Sequence, residues 1–347
     1  MIEKDDIMIS KTDHLHLHVI GYPKQGESIV VNIGNKFVGV IDCFKKSNCF
    51  KTKEIVEEYG GRIDFICWTH SDWDHTFGIS ELKEYFYDET AIIVPGAFQA
   101  KEWRTFVLDN PEVKDYKLKE YKEIFKIIDE TKGYLYQGVN ESTELYNFRL
   151  INGSNEIEFG MKSFAPMGKI LRNLESEYLK GATEKKEIKE KLFKKYNHDN
   201  NLFSVGLIIT LKVYGGMLKI VLTGDLDNKV IDSMHKKSVE RVFSRSNIIK
   251  IPHHGSVSAS SLIDFDYPEG IKFDYAITTN YQDKLPQDEI LSKYTQYGKV
   301  INVNYHNKDI FGIAECEIPL LDIVKNINEL QILHRRGNAD YYPSQIM

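Results

Sequence analysis

The sequence is poor in cysteine, carries no excess of positive charge and contains no long apolar run. Its four cysteines, Cys43, Cys49, Cys67 and Cys316, include no C-x-x-C pair. A disulfide framework is therefore not expected, and a reducing compartment fits. The formal net charge of -6 argues against broad electrostatic attraction to nucleic acid, although it leaves room for a local basic groove. The first residues, Met1-Ile-Glu-Lys-Asp-Asp6, offer no apolar stretch of the signal-peptide kind. No later run is long enough to span a membrane, no repeat recurs at a solenoid period, and no low-complexity linker divides the chain. The expectation is a soluble, cytoplasmic protein. Its 347 residues suffice for a sizeable core, in one large domain or two smaller ones.

What is present is an α/β rhythm. His14-Leu-His-Leu-His-Val-Ile20 alternates polar and apolar residues, and Ser28-Ile-Val-Val-Asn-Ile33 and Phe37-Val-Gly-Val-Ile41 are short β-branched runs joined by Gly34-Asn35. A helix over residues 51–59, the apolar strand Phe65-Ile-Cys-Trp68, a helical Ser80–Phe86 and a strand Ala91–Val94 follow. Cys67 reads as a small core residue of that strand. Residues 100–200 are more charged. They hold a helix over residues 112–130, with Tyr121, Ile124, Phe125 and Ile128 at helical spacing. The segment Thr143–Phe164 alternates like a pair of strands. The Lys- and Glu-rich segment Thr183–Phe193 reads as a solvated helix with i,i+4 pairs or as a surface for polyanions. Strands then return at Phe203–Leu211, Leu218–Leu222, Ile248–Ile251 and Tyr275–Thr278. Alternating strands and helices predict a layered α/β domain.

Candidate chemistry concentrates where strands end, which is where open α/β sheets place their sites. Thr69-His-Ser-Asp-Trp-Asp-His-Thr76 packs four potential metal ligands, His70, Asp72, Asp74 and His75, into six residues. Charged groups this dense would be costly to bury without a neutralising cation or pair of cations. A single structural metal or chance clustering is the competing reading, and two further clusters weigh against it. Asp225, after the strand Leu218–Leu222, offers a carboxylate able to bridge two cations. His253 and His254, after Ile248–Ile251, add imidazoles. Mixed His/Asp ligation suits zinc best, with manganese or iron as alternatives. Two such ions would acidify a bridging water to hydroxide near neutral pH and polarise a phosphoryl or carbonyl oxygen.

Several of these segments resemble, in order, the metallo-β-lactamase superfamily, and within it the hydrolase domain of ComEC-type DNA-uptake proteins. Gln25-Gly-Glu-Ser-Ile29 resembles the family's Q-G-D-S-I, and Ile41-Asp42 resembles its strand-end Asp. Thr69–His75 resembles the H-x-H-x-D-H motif with Asp in place of the second His. Asn201-Leu-Phe-Ser-Val205, Leu222-Thr-Gly-Asp225 and Lys250-Ile-Pro-His-His-Gly-Ser256 resemble the later motifs, and Asn280, Pro286 and Glu289-Ile-Leu291 resemble the late segment. The resemblance spans residues 14–315, with residues 100–200 poorly matched. It implies a single domain over residues 1–347, folded as an αββα sandwich with a helical insertion at about 100–200. It implies two divalent metal ions, zinc or manganese. His70 and Asp72 would bind the first, Asp74, His75 and His253 the second, and Asp225 would bridge. Asp42 would orient a ligand by hydrogen bonding.

Two positions depart from the family pattern. Its third-motif His falls near Asn201, a weak neutral ligand, with His198 close by as the possible substitute. His254 is a proton donor to the leaving group, a group supporting a ligand, or a solvated neighbour. Asp74 and His254 are the catalytic candidates on this reading. Ser256 and Asn280 are candidates for substrate contact, with an ordinary Ser-rich loop as the alternative for Ser256 and its neighbours Ser258, Ser260 and Ser261. His14, His16 and His18 lie on one face of a strand, as a metal-binding stripe or an ordinary face. His334-Arg-Arg-Gly337 reads as a solvated tail segment. The function expected is metal-dependent hydrolysis of phosphodiesters, as a phosphodiesterase or nuclease. The alternatives are a hydrolase of lactone, ester or amide bonds and a non-catalytic scaffold of the same fold.

Overall fold

Alternating apolar positions along the strands decide the layering. The structure, a computed structural model, describes residues 1–110, 113–133, 135–182, 191, 194–195, 200–267, 270–307, 309–325 and 334–342. Among these, strands form an eight-stranded sheet and a nine-stranded sheet. The eight-stranded sheet contains β2 (His14–Gly21), β3 (Glu27–Ile33), β4 (Phe37–Ile41), β5 (Phe65–Cys67), β6 (Ala91–Pro95) and β7 (Tyr136–Val139), with β15 (Gly312–Pro319) and β16 (His334–Gly337) beyond β2. The nine-stranded sheet runs from β1 (Ile7–Met8) through β8 (Glu144–Asn152), β9 (Asn155–Ala165), β10 (Gly206–Val213), β11 (Gly216–Leu222), β12 (Ile248–Lys250) and β13 (Tyr275–Thr278) to β14 (Lys299–Asn302) and β17 (Asp340–Tyr342).

One face of each sheet meets the other sheet. Leu15, Leu17, Val19, Ile29, Val31 and Ile33 pack with Phe159, Met161, Leu207, Ile209, Leu218 and Ile220 in a core made almost wholly of strand residues. The alternate positions face outward onto helices. Val30, Val38 and Val40 join Ile55 and Val56 of α1 (Lys51–Glu58), while Ile208, Val221 and Ile249 join Val230, Ile231, Val239 and Val242 from helices 228–233 and 236–243. Burial of each such side chain contributes about 1.5–3 kcal/mol. The result is a layered α/β domain, as the alternation predicts, and an αββα sandwich, as the family resemblance implies.

Each sheet contains a parallel block: β4 to β7 in one, β11 to β14 in the other. The carboxyl ends of these strands carry Asp42 after β4, Thr69–His75 after β5, Asp225 after β11, His253 and His254 after β12, and Thr279 after β13. The two ends are tied across the sandwich by a hydrogen bond from Val205 N to Thr69 O at 3.0 Å.

Residues 100–200 add α3 (Lys101–Leu108), α4 (Asp115–Glu130) and α5 (Gly168–Ala182), and also supply β7, β8 and β9 to the two sheets. The expected stripe on α4 is buried, and Tyr121 and Phe125 pack on Trp68 with ring centroids 6.1 and 6.0 Å away. The segment Thr183–Phe193 lies almost entirely outside the described residues, and His198 lies outside them too.

One local expectation is refined and two are corrected. Ser80–Phe86 is helical, as a 3-10 helix over Ile79–Tyr85, whose start is held by Glu120 Oε1 accepting from Gly78 N and Ser80 N. The strand expected from Phe203 begins at Gly206, because Asn200–Phe203 forms a turn that aims Asn200 and Asn201 at the site. His334–Gly337 is not a free tail. Its side chains are exposed, but its backbone is the edge strand β16, paired with β15.

Candidate metal centre

The sharp turn from β5 into the short helix α2 (Trp73–Thr76) brings Asp74 and His75 inward. The loop after β11 needs a left-handed residue at Gly224 (φ 53°), and Asp225 follows it directly. After β12 two non-glycine residues, His253 (φ 46°) and His254 (φ 49°), both adopt left-handed backbone. Strained backbone of this kind persists where surrounding structure over-determines it, and it clusters at functional sites. Gly255 completes the turn at φ 75°, where a Cβ would meet Pro286 Cβ at 2.9 Å.

Four buried side chains converge here. His254 Nε2 lies 3.3 Å from Asp74 Oδ2 and 3.4 Å from Asp225 Oδ2. His75 Nε2 lies 3.6 Å from Asp74 Oδ2, 3.4 Å from Asp225 Oδ1 and 3.4 Å from His254 Nε2. Charge-assisted hydrogen bonds between such groups are shorter, about 2.7–2.9 Å. Donor atoms around a tetrahedral zinc ion, with bonds of about 2.0–2.2 Å, stand roughly 3.3–3.6 Å apart. The spacing is that of ligands around a cation.

The histidine tautomers agree. His75 Nδ1 donates to Asp42 Oδ2 at 2.7 Å. Thr69 Oγ1 donates to the same Asp42 oxygen at 2.6 Å, so its lone pair takes His70 Nδ1–H at 2.9 Å. Thr279 Oγ1 donates to Glu27 Oε2 and in the same way takes His254 Nδ1–H at 2.8 Å. All three imidazoles thus present Nε2 as the lone-pair nitrogen toward the centre. Outer acceptors that fix ligand tautomers in this way are the usual company of metal-binding histidines. Among the described residues, His70 Nε2 and Asp225 Oδ1 are buried without a hydrogen-bond partner, and so is Asn201 Oδ1. Orphaned buried acceptors are costly unless something satisfies them. These residues fit a divalent metal.

The electrostatics point the same way. Burial opposes the charged form of His254, but Asp225, Asp74 and Glu27 outweigh it and lift the imidazole to about 9. His75 is raised well above its ordinary value against the same burial, by Asp225, Asp42 and Asp74. Asp225 is held well below the ordinary carboxylate range by His254 and His75 in spite of its burial. Protons on these imidazoles balance the carboxylates only when no cation does so.

The other half of the site is looser. His70 Nε2 stands 3.4 Å from Asp72 Oδ2, and the Asp72 side chain is 39% exposed. Asp72 Oδ1 accepts from Asn200 Nδ2 at 2.6 Å, and Asn200 Oδ1 accepts from Ser71 Oγ at 2.7 Å. His253 is half-buried. Its Nδ1 is 2.9 Å from Ser258 Oγ, and Asn201 Nδ2 lies 3.3–3.4 Å from both ring nitrogens. Burial lowers the His253 imidazole, partly offset by Asp225 and Asp72.

The structure therefore brings His70, Asp72, Asp74, His75, Asp225 and Asn201 to one region, with Asp42 behind them. It exchanges the two adjacent histidines: His254, not His253, joins Asp74, His75 and Asp225. Ser256 caps the next turn, accepting from Ser258 N at 3.2 Å, and does not reach the cluster through any hydrogen bond of the described residues. Asn280 is turned away, donating to Asn304 O at 3.1 Å. Four supporting residues were not singled out from sequence: Thr69, Thr279, and the buried pair Glu27 and Lys250, whose charged atoms are 2.8 Å apart. Glu27 and Lys250 both lie inside motifs already noted, and that was their available signal.

No family model and no curated protein matches the chain. Among solved structures it is similar to the metallo-beta-lactamase SMB-1 bound to 2-mercaptoethanesulfonate, at 12% identity over 68% of this chain and 76% of that chain, with a TM-score of 0.35. It is also similar to MEM-A1, a subclass B3 metallo-beta-lactamase from a soil metagenome library (11% identity, 65% and 72%, TM-score 0.32). A third is an archaeal metallo-beta-lactamase superfamily protein from Sulfolobus tokodaii (13% identity, 65% and 74%, TM-score 0.30). Likenesses this faint carry no argument about chemistry. The architecture rests on the strand pairing, and the site on its own distances.

Proposed function

We propose that this chain is a hydrolase that uses two divalent metal ions, zinc or manganese, to cleave phosphodiesters, either in nucleic acid or in smaller esters. The observation that carries the reading is the cage of Asp74, His75, Asp225 and His254, with donor atoms 3.3–3.6 Å apart and tautomers fixed from behind. Asp74, His75, His254 and Asp225 would hold one ion. His70 and Asp72, with Asn201 and the shared Asp225, would hold the other. When bound, such a pair acidifies water and polarises a phosphoryl oxygen.

The chain's own residues supply the rest. Asp42 and Glu27, directly or through Thr69 and Thr279, hold the Nδ1–H of the three ligand imidazoles and aim Nε2 at the centre. His253, lowered by burial and engaged by Ser258 at Nδ1, is placed to take and return a proton at Nε2. Three aspartates make an oxygen-rich ligand set, which suits phosphate chemistry. Helix α4 adds Lys117, whose ammonium burial pulls down and Asp72 and Asp74 push up. Lys117 Nζ lies 5.5 Å from the centre of the Trp73 ring, and Tyr116 meets Trp73 edge-on at 4.8 Å. Across the cluster Tyr281 stacks on His254 at 5.5 Å. One cation and several flat faces beside the cluster suit an anionic ester flanked by an aromatic group.

The test is hydrolysis of bis(4-nitrophenyl) phosphate by the full-length protein. Activity should vanish with chelator, return with zinc or manganese, and exceed turnover of β-lactams and lactones. Strong lactone or lactam turnover without phosphodiester cleavage would instead favour a carbon–oxygen or carbon–nitrogen hydrolase. Failure to bind either metal would leave a scaffold.

A further inference from the structure

A second group of metal-ligating side chains lies outside this site, on the outward face of β2 and its neighbours β15 and β16. His14, His16 and Glu317 each bring one ligand atom within 4.8 Å of the others. Strand pairing places His16 opposite Glu317 and His18 opposite Glu315. The edge strand β16 adds His334, whose Nε2 is 3.2 Å from Glu317 Oε2, while His14 Nε2 is 3.7 Å from Glu317 Oε1.

The tautomers are set here as well. His14 Nδ1 donates to the Thr12 carbonyl at 2.8 Å. His16 Nδ1 donates to Glu315 Oε1 at 3.3 Å, and Glu315 is fixed in turn by Arg336 Nη2 at 2.6 Å. Neither a carbonyl nor a carboxylate can donate back, so both rings carry their lone pair on Nε2. Carboxylate or carbonyl behind Nδ1 and a free Nε2 in front is the arrangement that precedes metal binding by histidine. Arg336 pairs with Glu315 at 2.6 Å and with Glu58 at 4.0 Å, and it forms no ion pair with Glu317 among the described residues. One rung inward His18 is buried, and its Nδ1 has no hydrogen-bond partner among the described residues.

We propose that His14, His16, Glu317 and His334 form a second, structural zinc site that ties the edge strand β16 to β15 and β2. His14, His16 and Glu317 supply three ligands, and His334, which meets Glu317 through its other oxygen, would turn in as the fourth of the four-coordinate set that zinc takes in closed sites. An exposed edge strand is a liability that proteins manage by covering or pinning it, and a cation shared by three adjacent strands does so.

The experiment counts zinc on the full-length chain by native mass spectrometry, after equilibration with zinc and a competing chelator of micromolar affinity. Wild-type protein should hold one zinc more than the His14→Gln/Glu317→Gln double variant. His334→Gln alone, at an exposed position that does not threaten folding, should weaken that ion by at least about tenfold. Zinc should also raise the Tm of a His75→Ala/His254→Ala variant, and the rise should become smaller when His14→Gln is added. Equal zinc counts in wild type and double variant, or full affinity in His334→Gln, would overturn the proposal.

Discussion

The two halves of the candidate metal centre are built to different standards. In the inner half Asp74, His75, Asp225 and His254 are buried, with both imidazoles 3.3–3.6 Å from both carboxylates and 3.4 Å from each other, and backed by Asp42 and Glu27. In the outer half His70 alone has that quality. Asp72 is part-exposed, Asn201 is neutral, and His253 divides its ring between Ser258 and Asn201. Preorganised ligands lose little freedom on binding, while loose ones must be ordered at the moment of binding. The inner ion should therefore bind first and tightly, and the outer ion later and weakly.

Asp225 is the residue whose loss should erase the difference, because both its oxygens face the inner imidazoles and the proposed scheme shares the same carboxylate with the outer ion. Asp225→Ala should lower phosphodiesterase activity by at least about 100-fold and release at least one metal, measured by elemental analysis, with the far-UV spectrum unchanged. Full metal content and wild-type turnover in that variant would remove the shared carboxylate from the scheme.

The adjacent histidines give the next largest contrast. His254→Ala should cost about 100-fold in affinity for the tighter ion, since it removes a ligand with a fixed tautomer. His253→Ala should leave that affinity within about threefold and act mainly on kcat, by about 100-fold if the ring moves a proton. Equal metal loss in both variants would mean that the inner half extends to His253.

This pair also marks the limit of what the sequence reveals. His70, Asp72, Asp74 and His75 are legible because they are contiguous and follow an apolar strand, and Asp225 because it follows another. The two sheets are legible from period-two alternation, as in His14–Ile20 and Thr143–Phe164. Which of His253 and His254 turns inward is not legible. It depends on two successive left-handed residues, a conformation that spacing does not encode. The relays from Glu27 through Thr279 and from Asp42 through Thr69 join residues distant in sequence, so only the closed sandwich reveals them. The same holds for α4, whose amphipathic stripe is plain but whose seat on Trp68 beside the ligand loop is a tertiary fact.

Proton competition should make the inner half sensitive to pH. Metal must displace protons from His254, raised to about 9, and from His75, also raised well above its ordinary value. The inner ion's apparent affinity should therefore climb as pH rises toward 9. Stability carries the opposite sign in the metal-free protein. A His254 pKa lifted from 6.5 to about 9 contributes stability that is full below 6.5 and is lost as pH rises through 9. Metal-free protein should lose Tm between pH 7 and 9.5, and zinc-loaded protein should not. Parallel Tm profiles with and without zinc would sink this account.

Lys117 probes the approach to the cluster rather than the metals. Lys117→Ala should raise KM for a phosphodiester by roughly tenfold with little change in kcat, the mark of an interaction equal in ground and transition states. Metal content should not change.

The smallest effect expected is a gain. Asn201 places a neutral oxygen, buried and without a hydrogen bond among the described residues, beside the outer half. A carboxylate there would add Coulomb attraction to a divalent ion, but also repulsion from Asp72 and Asp225 and a desolvation cost. With the ion bound, attraction to a double charge exceeds repulsion from single charges at greater distance, so Asn201→Asp should tighten the outer ion by about three- to tenfold. Without the ion the added charge is uncompensated, and the metal-free variant should be less stable than wild type. Isothermal titration with manganese would show the gain in the weaker of two binding steps only. A gain confined to the tighter step would place Asn201 in the inner half and reverse the comparison on which this section rests.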